Sequence, residues 1–170
     1  LGLLFVLGSR HTPLVTVNNK NSQQVNTPFE VAGEIDTPAP EFSLHDISGA
    51  TVSLSQFHGK TVVLTFWNVQ CADCISVVKA FNPLIAQNSQ STAFIAINSG
   101  DEQSAVEKLV SREGLKSQIL IDFDKKVTTL YKVGTTTSTY FIRSNKIAGI
   151  GLGTLSTSQI ASRIEKLAVQ

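Results

Sequence analysis

Thr61-Val-Val-Leu-Thr-Phe-Trp67 constrains the fold more than any other stretch of the sequence. It is an almost unbroken run of β-branched and aromatic side chains at strand length, with no polar alternation to make a water-facing side. A strand of that composition has to be covered on both faces, which places it mid-sheet with helices above and below. Directly after it, Asn68-Val-Gln-Cys-Ala-Asp-Cys-Ile75 holds both cysteines of the chain, and apolar residues then recur at helical steps as Ile75, Val78, Phe81 and Ile85. Strand, cysteine pair and helix thus follow one another without a spacer. Pro83 lies inside the helical pattern, where it removes a backbone donor and crowds the Lys79 carbonyl, so a kink or break is expected over residues 79–82.

The rest of the chain continues the alternation. Thr92-Ala-Phe-Ile-Ala-Ile97 repeats the buried-strand pattern, and Ser99-Gly-Asp-Glu102 has the spacing of a capping box ahead of Ala105, Val106, Leu109 and Val110. Gly114 is placed to end that helix. A strand over 118–123, a short helix over 126–133 and strands over 138–143 and 147–152 follow. Ser156-Thr-Ser-Gln159 is a second capping-box spacing, and Ile160, Ile164 and Leu167 form the buried stripe of a closing helix. Strands alternating with helices imply a parallel core, while the last two strands, joined at Ser144-Asn145, must pair antiparallel. The expected fold class is α/β, with a mixed central β-sheet flanked by helices. In such sheets chemistry gathers beyond the carboxyl ends of the strands, where Cys71 and Cys74 fall.

With 170 residues, 42% of them hydrophobic, the chain can bury one full core, assigned to residues 37–170. Residues 10–36 include Asn18-Asn-Lys-Asn-Ser-Gln-Gln-Val-Asn-Thr27, too polar to offset its own chain entropy, and are expected to form a flexible linker. Residues 1–9 open on Leu1-Gly-Leu-Leu-Phe-Val-Leu-Gly8. As a helix this run rises about 12 Å against a bilayer core of about 30 Å, so it reads as the remnant of a membrane anchor or signal segment, with an apolar terminal strand as the alternative. The balance of 14 Lys and Arg against 13 Asp and Glu, without a basic run, leaves no footprint for nucleic acid.

Four roles compete for the cysteines. A tetrahedral zinc set would need further ligands, and the only histidines are His11, in the linker, with His45 and His58 in polar, surface-like stretches. Covalent haem attachment requires His after the second cysteine, where Ile75 stands. A structural disulfide across so short a loop removes little unfolded-chain entropy. The redox reading has a direct physical basis. A cysteine at a helix N-terminus faces unpaired N–H groups and the positive end of the macrodipole, which stabilise its thiolate, and a second cysteine one turn on can reach it. Cys71 is then the attacking thiolate and Cys74 the resolving partner, with no cofactor beyond their own disulfide.

These residues resemble the thioredoxin superfamily, in particular its TlpA/ResA-like, AhpC/TSA-related branch. The resemblance spans residues 38–168 and rests on Ala39-Pro-Glu-Phe-Ser-Leu44, Gly49-Ala-Thr-Val-Ser-Leu-Ser-Gln-Phe-His-Gly-Lys60 and the strand through Phe66-Trp67 into Cys-x-x-Cys. Leu120-Ile-Asp122, Leu130-Tyr-Lys-Val133, Ser138-Thr-Tyr-Phe-Ile142 and Ile147-Ala-Gly149 extend it. It implies a thioredoxin-like fold with an N-terminal β extension, in an extracytoplasmic, membrane-tethered monomer, with a secreted soluble protein as the alternative. The implied activity is reduction of disulfides in exported proteins, apocytochrome c among them, with electrons from a membrane thiol donor.

Several positions depart from that pattern. Gln70 replaces the aromatic residue before the first cysteine, although Trp67 is kept. The carboxylates that relatives carry fall at Thr65 and Val77, and a helix-kinking proline falls at Lys79. Thr137 stands at the cis-proline of the facing loop. A cis peptide without proline costs about 3 kcal/mol or more, so a trans or strained 136–137 bond is expected, with the Thr137 hydroxyl donating to the Cys71 sulfur. Between the cysteines, Ala72 is neutral, whereas Asp73 opposes a Cys71 thiolate by like-charge repulsion. Trp67, Gln70, Ala72, Asp73 and Thr137 are therefore the expected tuning or substrate-contact residues.

The competing functions are a redox-inactive binding module of the same fold, peroxide reduction and soft-metal binding by the two thiolates. Asn68, where peroxide-reducing relatives have threonine, opposes the second of these. Gly149-Ile-Gly-Leu-Gly153 lacks the spacing of a nucleotide loop and reads as strand and turn. Lys125-Lys126, beside Asp122 and Asp124, reads as a solvated turn.

Overall fold

The run from Thr61 to Trp67 is a central strand of a mixed sheet. A computed structural model describes residues 36–135 and 137–169, so the expectations for residues 1–9, for most of the 10–36 linker and for the 136–137 peptide lie outside the described residues. The strands are β1 (Thr37–Pro38), β2 (Ser43–Asp46), β3 (Thr51–Ser53), β4 (Thr61–Trp67), β5 (Thr92–Ser99), β6 (Gln118–Asp122), β7 (Ser138–Arg143) and β8 (Lys146–Leu152). The helices are α1 (Ala72–Asn88), α2 (Gln103–Glu113), α3 (Lys126–Leu130) and α4 (Thr157–Ala168). Among the described residues the strands lie side by side as β1-β8-β7-β4-β5-β6-β2-β3. β4 pairs parallel with β5 and β5 with β6, as the alternation predicts, and β7 pairs antiparallel with β8, as the turn at Ser144-Asn145 requires; β7 also pairs antiparallel with β4, so the strand after α3 departs from the expected parallel core.

Alternate side chains of β4 divide the core. Val63, Thr65 and Trp67 face α1, α2 and α4 with Val77, Phe81, Val106 and Ile160, while Val62, Leu64 and Phe66 face α3 and the N-terminal extension. That extension covers both edges of the sheet. The β2–β3 hairpin pairs with β6, and β1 pairs with β8. Pro38 is tolerated because β1 is an edge strand. A cluster of Phe42, Phe66, Tyr131 and Tyr140 fills the second layer, with ring centroids 5.1–6.4 Å apart.

Four local expectations need correction. α1 runs through Pro83 to Asn88 as one helix rather than breaking at 79–82. Pro83 is exposed, while Cys74, Val77, Val78, Phe81 and Leu84 hold the helix on the sheet and Ile75 and Ile85 sit at the margins of that stripe. The Ser99–Glu102 spacing is not a capping box. Ser99 is the last residue of β5, its hydroxyl lies 2.9 Å from that of Thr128, and α2 starts after Glu102 without a side-chain cap. α3 stops at Leu130, because Lys132 has φ +52° and cannot continue a helix. The two prolines of Asp36-Thr-Pro-Ala-Pro40 make that stretch turn-prone by sequence, yet Thr37 and Pro38 pair with β8 as β1. The Ser156–Gln159 box is present in full, and Gly114 ends α2 at φ +62°. At Gly151 a Cβ would stand 2.6 Å from Leu155 Cδ1, so this glycine of β8 permits close approach of the segment before α4.

Tyr131 ties α3 to the N-terminal extension by donating to the Pro40 carbonyl at 2.8 Å. Burial, together with Glu41 and Tyr140, holds its phenol above the ordinary value of 10.0. An unfolded tyrosine ionises near pH 10 while this one stays neutral, so its contribution is intact below about pH 10 and declines above it. In urea unfolding from about pH 8 to about pH 11, Tyr131→Phe is expected to cost about 1 kcal/mol at the lower end and to flatten the alkaline decline. Parallel pH profiles for the two proteins would contradict this.

Candidate functional site

At the carboxyl edge of the sheet, register aligns Trp67 with Asn98 and Ser99 with Asp122. The loop between β4 and α1 is fixed there by its own polar groups. The Asn68 side chain accepts from Gln70 N–H at 3.0 Å, its carbonyl accepts from Cys71 N–H at 3.2 Å, and Asp101 Oδ2 accepts from Val69 N–H at 2.7 Å. Asp101 is oriented by Asn98, whose Nδ2 donates to the same oxygen at 2.8 Å. A buried amide of β5 and a carboxylate of the loop after it therefore set the approach to the first cysteine. Nothing in a linear motif reveals this.

Cys71 is the N-cap of α1, and its Sγ accepts the Cys74 backbone N–H at 3.2 Å. The two cysteines form a disulfide with Cα atoms 5.3 Å apart. Their exposure differs. Cys71 is half-buried, whereas Cys74 is only 6% exposed, packed beside Trp67 and Val78. A partner arriving from solvent thus meets the sulfur of Cys71, which already sits on an N–H donor at the positive end of the helix.

The Thr137 hydroxyl lies 3.2 Å from Cys74 Sγ and 4.0 Å from Cys71 Sγ. The expected donation to Cys71 is therefore redirected toward Cys74, because Thr137 is buried against the inner sulfur. Its carbonyl accepts Gly153 N–H at 2.8 Å, which extends the pairing of β7 with β8. Thr65 bonds to the Ser138 carbonyl and the Thr139 hydroxyl at 3.2 and 3.1 Å, and Val77 is fully buried among apolar side chains. Gln70, Ala72 and Asp73 are exposed around the rim, and Trp67 is buried with its Nε1 bonded to none of the described residues. Among the described residues no three His, Cys, Asp or Glu side chains gather to hold a metal.

Beside the disulfide opens a cleft of about 300 Å³, whose walls include Asn68, Ser99, Lys125, Thr128 and Thr135. Apart from Asn68, weighed only against peroxide chemistry, these residues escape the sequence reading as site residues. They come from the ends of β4 and β5, from the start of α3 and from the loop before β7, and only the assembled sheet brings them together.

A mixed sheet that presents a disulfide across the first turn of a helix, one sulfur facing outward and the other inward, defines a thioredoxin-like thiol-disulfide oxidoreductase. Residues 35–149 match the AhpC/TSA family. The thiol-disulfide oxidoreductase ResA of Geobacillus kaustophilus is 31% identical over 140 residues, covering 81% of this chain and 80% of that protein. ResA of Bacillus subtilis is 30% identical over 128 residues, covering 72% and 69%. A putative thiol:disulfide interchange protein DsbE from Chlorobium tepidum superposes with TM-score 0.71 at 23% identity, covering 79% of this chain and 96% of that one. A secreted Mycobacterium tuberculosis disulfide oxidoreductase homologous to Escherichia coli DsbE gives 0.66 at 23%, covering 74% and 95%. The chain belongs to the AhpC/TSA family, and within it to the ResA thiol-disulfide oxidoreductases.

Proposed function

We propose that this oxidoreductase works as a reductase of disulfides in exported proteins, with Cys71 as attacker and Cys74 as resolver. The observation that carries the reading is the asymmetry of the pair, an N-cap sulfur open to solvent above a buried partner. In the reduced protein the Cys71 thiolate attacks one sulfur of a substrate disulfide, forming a mixed disulfide and releasing one substrate thiolate. Cys74, once deprotonated, attacks Cys71 Sγ, the mixed disulfide breaks and the second substrate thiolate leaves. Two electrons pass to the substrate, and the Cys71–Cys74 disulfide remains. A membrane dithiol donor returns the electrons by the reverse exchange.

Family membership supports an extracytoplasmic location, with apocytochrome c as one substrate class. No helix among the described residues is long and apolar enough to cross a membrane, and the proposed tether would lie in residues 1–9. We take the working unit to be a monomer. Gln70 offers less apolar contact to a substrate than an aromatic residue, and Asp73 raises the cost of a second negative charge at Cys71. The direction of exchange is tested by equilibrating the pair with thiol buffers. A reduction potential below about −200 mV, toward the thioredoxin value near −270 mV, agrees with a reductase, whereas one near −120 mV marks an oxidant.

Thr137 takes part in the second step. With neither Thr65 nor Val77 offering a carboxylate, its hydroxyl is the polar side chain bonded to Cys74 Sγ. A hydrogen bond to a charged acceptor contributes about 1.5–3 kcal/mol, so Thr137→Val is expected to slow decay of the mixed disulfide about ten- to hundredfold in single-turnover measurements. Thr137→Ser should retain most of the rate. Equal rates for valine and threonine would remove Thr137 from the mechanism.

A further inference from the structure

Lys125 and Lys126 are adjacent in sequence but do different things in the structure. Lys126 pairs with Asp124 in solvent. Lys125 precedes α3 with φ +59°, its N–H donates to the Asp122 carbonyl at 3.1 Å, and its side chain folds back across Gly100 into the wall of the cleft. A Cβ at Gly100 would stand 2.2 Å from Lys125 Cε and 3.1 Å from its Nζ, so the absence of a side chain there makes room for the lysine.

Among the described residues, Lys125 is the only side chain with a formal charge lining the cleft beside Cys71 and Cys74, and it forms no ion pair with any of them. Asp101, next to Gly100, and Asp122, whose carbonyl accepts the Lys125 N–H, are already engaged, as is Asp124 with Lys126. Asp101 accepts from Val69 N–H and Asn98, and buried Asp122 accepts from Val127 N–H, Thr128 N–H and the Thr128 hydroxyl at 3.2, 2.7 and 2.6 Å. Asp73 sits in the first turn of α1 and does not line the cleft. The rest of the cleft supplies hydroxyls and the Asn68 amide beside the apolar Phe66, Trp67 and Val133.

We propose that Lys125 is a specificity-determining residue that selects disulfides carrying a carboxylate close to the reacting cysteine. An unpaired cation at the mouth of a cleft raises the local concentration of anionic partners and lowers that of cationic ones. Polar hydroxyls nearby complete a site for a carboxylate rather than for a bulky apolar side chain. The proposal rests on exchange at Cys71 and Cys74, and the test separates the two claims.

The reduced protein is mixed with three small disulfides of similar size: dithiodipropionate, which is anionic, hydroxyethyl disulfide, which is neutral, and cystamine, which is cationic. Stopped-flow rates are measured for wild type, Lys125→Gln and Lys125→Glu. The ratio of anionic to neutral rates is expected to fall about three- to tenfold in Lys125→Gln, the scale of one exposed charge, and further in Lys125→Glu, which should also raise the cationic rate. Salt near 1 M should collapse the differences. If wild type reacts with the neutral disulfide but all three proteins share the same charge ratios, Lys125 has no such role. If wild type reacts with none of the disulfides, the exchange reading falls and this proposal with it.

Discussion

Cys74→Ser is expected to turn the protein into a trap. Incubated in reduced form with insulin, it should accumulate a mixed disulfide through Cys71 and complete no second turnover. Cys71→Ser should form no adduct, and its turnover should fall to background. The contrast follows from the structure. Cys71 is half-buried and sits on the Cys74 N–H at 3.2 Å, so it can attack an incoming disulfide, whereas Cys74 is 6% exposed and reaches only a sulfur already held at Cys71. Serine at 74 keeps the shape of the buried site and removes only the second exchange. Gel analysis without reductant reads the outcome. An adduct in Cys71→Ser, or none in Cys74→Ser, would reverse or cancel the assigned roles.

Phe81→Ala is expected to cause the largest loss of stability, about 3–5 kcal/mol. The ring is fully buried on α1, packs against Phe94 of β5 with centroids 5.4 Å apart, and shares its cluster with Val63, Phe141 and Ile160. Its removal leaves a cavity at the meeting point of α1, α4 and the sheet. Domains of this kind are stable by about 5–15 kcal/mol, so the loss is a large share of the total. Chemical denaturation should show a lower midpoint with a similar slope. Because α1 also carries the cysteine pair, loosening it should degrade exchange before global unfolding. A change below about 1 kcal/mol would mean that α4 closes over the gap.

What the sequence revealed, and what it withheld, follows from the range of the interactions involved. β4 and the start of α1 were legible because a run covered on both faces and a helical stripe are properties of neighbouring residues. The closing capping box was legible for the same reason, since Ser156 and Gln159 bond within one turn. The similar spacing at Ser99 misled because no four-residue motif shows where a strand ends, and Ser99 still pairs with Asp122. Pro83 misled because packing of Phe81 and Leu84 outweighs the loss of one backbone bond. At the site, the cysteine pair is local and was found. The turn of Thr137 toward Cys74, the brace from Asp101 to Val69 and the placement of Lys125 depend on residues 63 and 32 positions apart or on the register of parallel strands, and no periodicity encodes them.

The central claim is that Cys71 is the nucleophile and Cys74 its sheltered partner. Reduced protein is exposed to limiting iodoacetamide across a pH series, and each modified cysteine is quantified by peptide mass spectrometry. Cys71 is expected to be carboxamidomethylated at least about tenfold faster than Cys74, with its reaction persisting below the free-thiol value of about 8.5. Faster modification of Cys74, or a failure of both to react in the folded protein, would contradict the account.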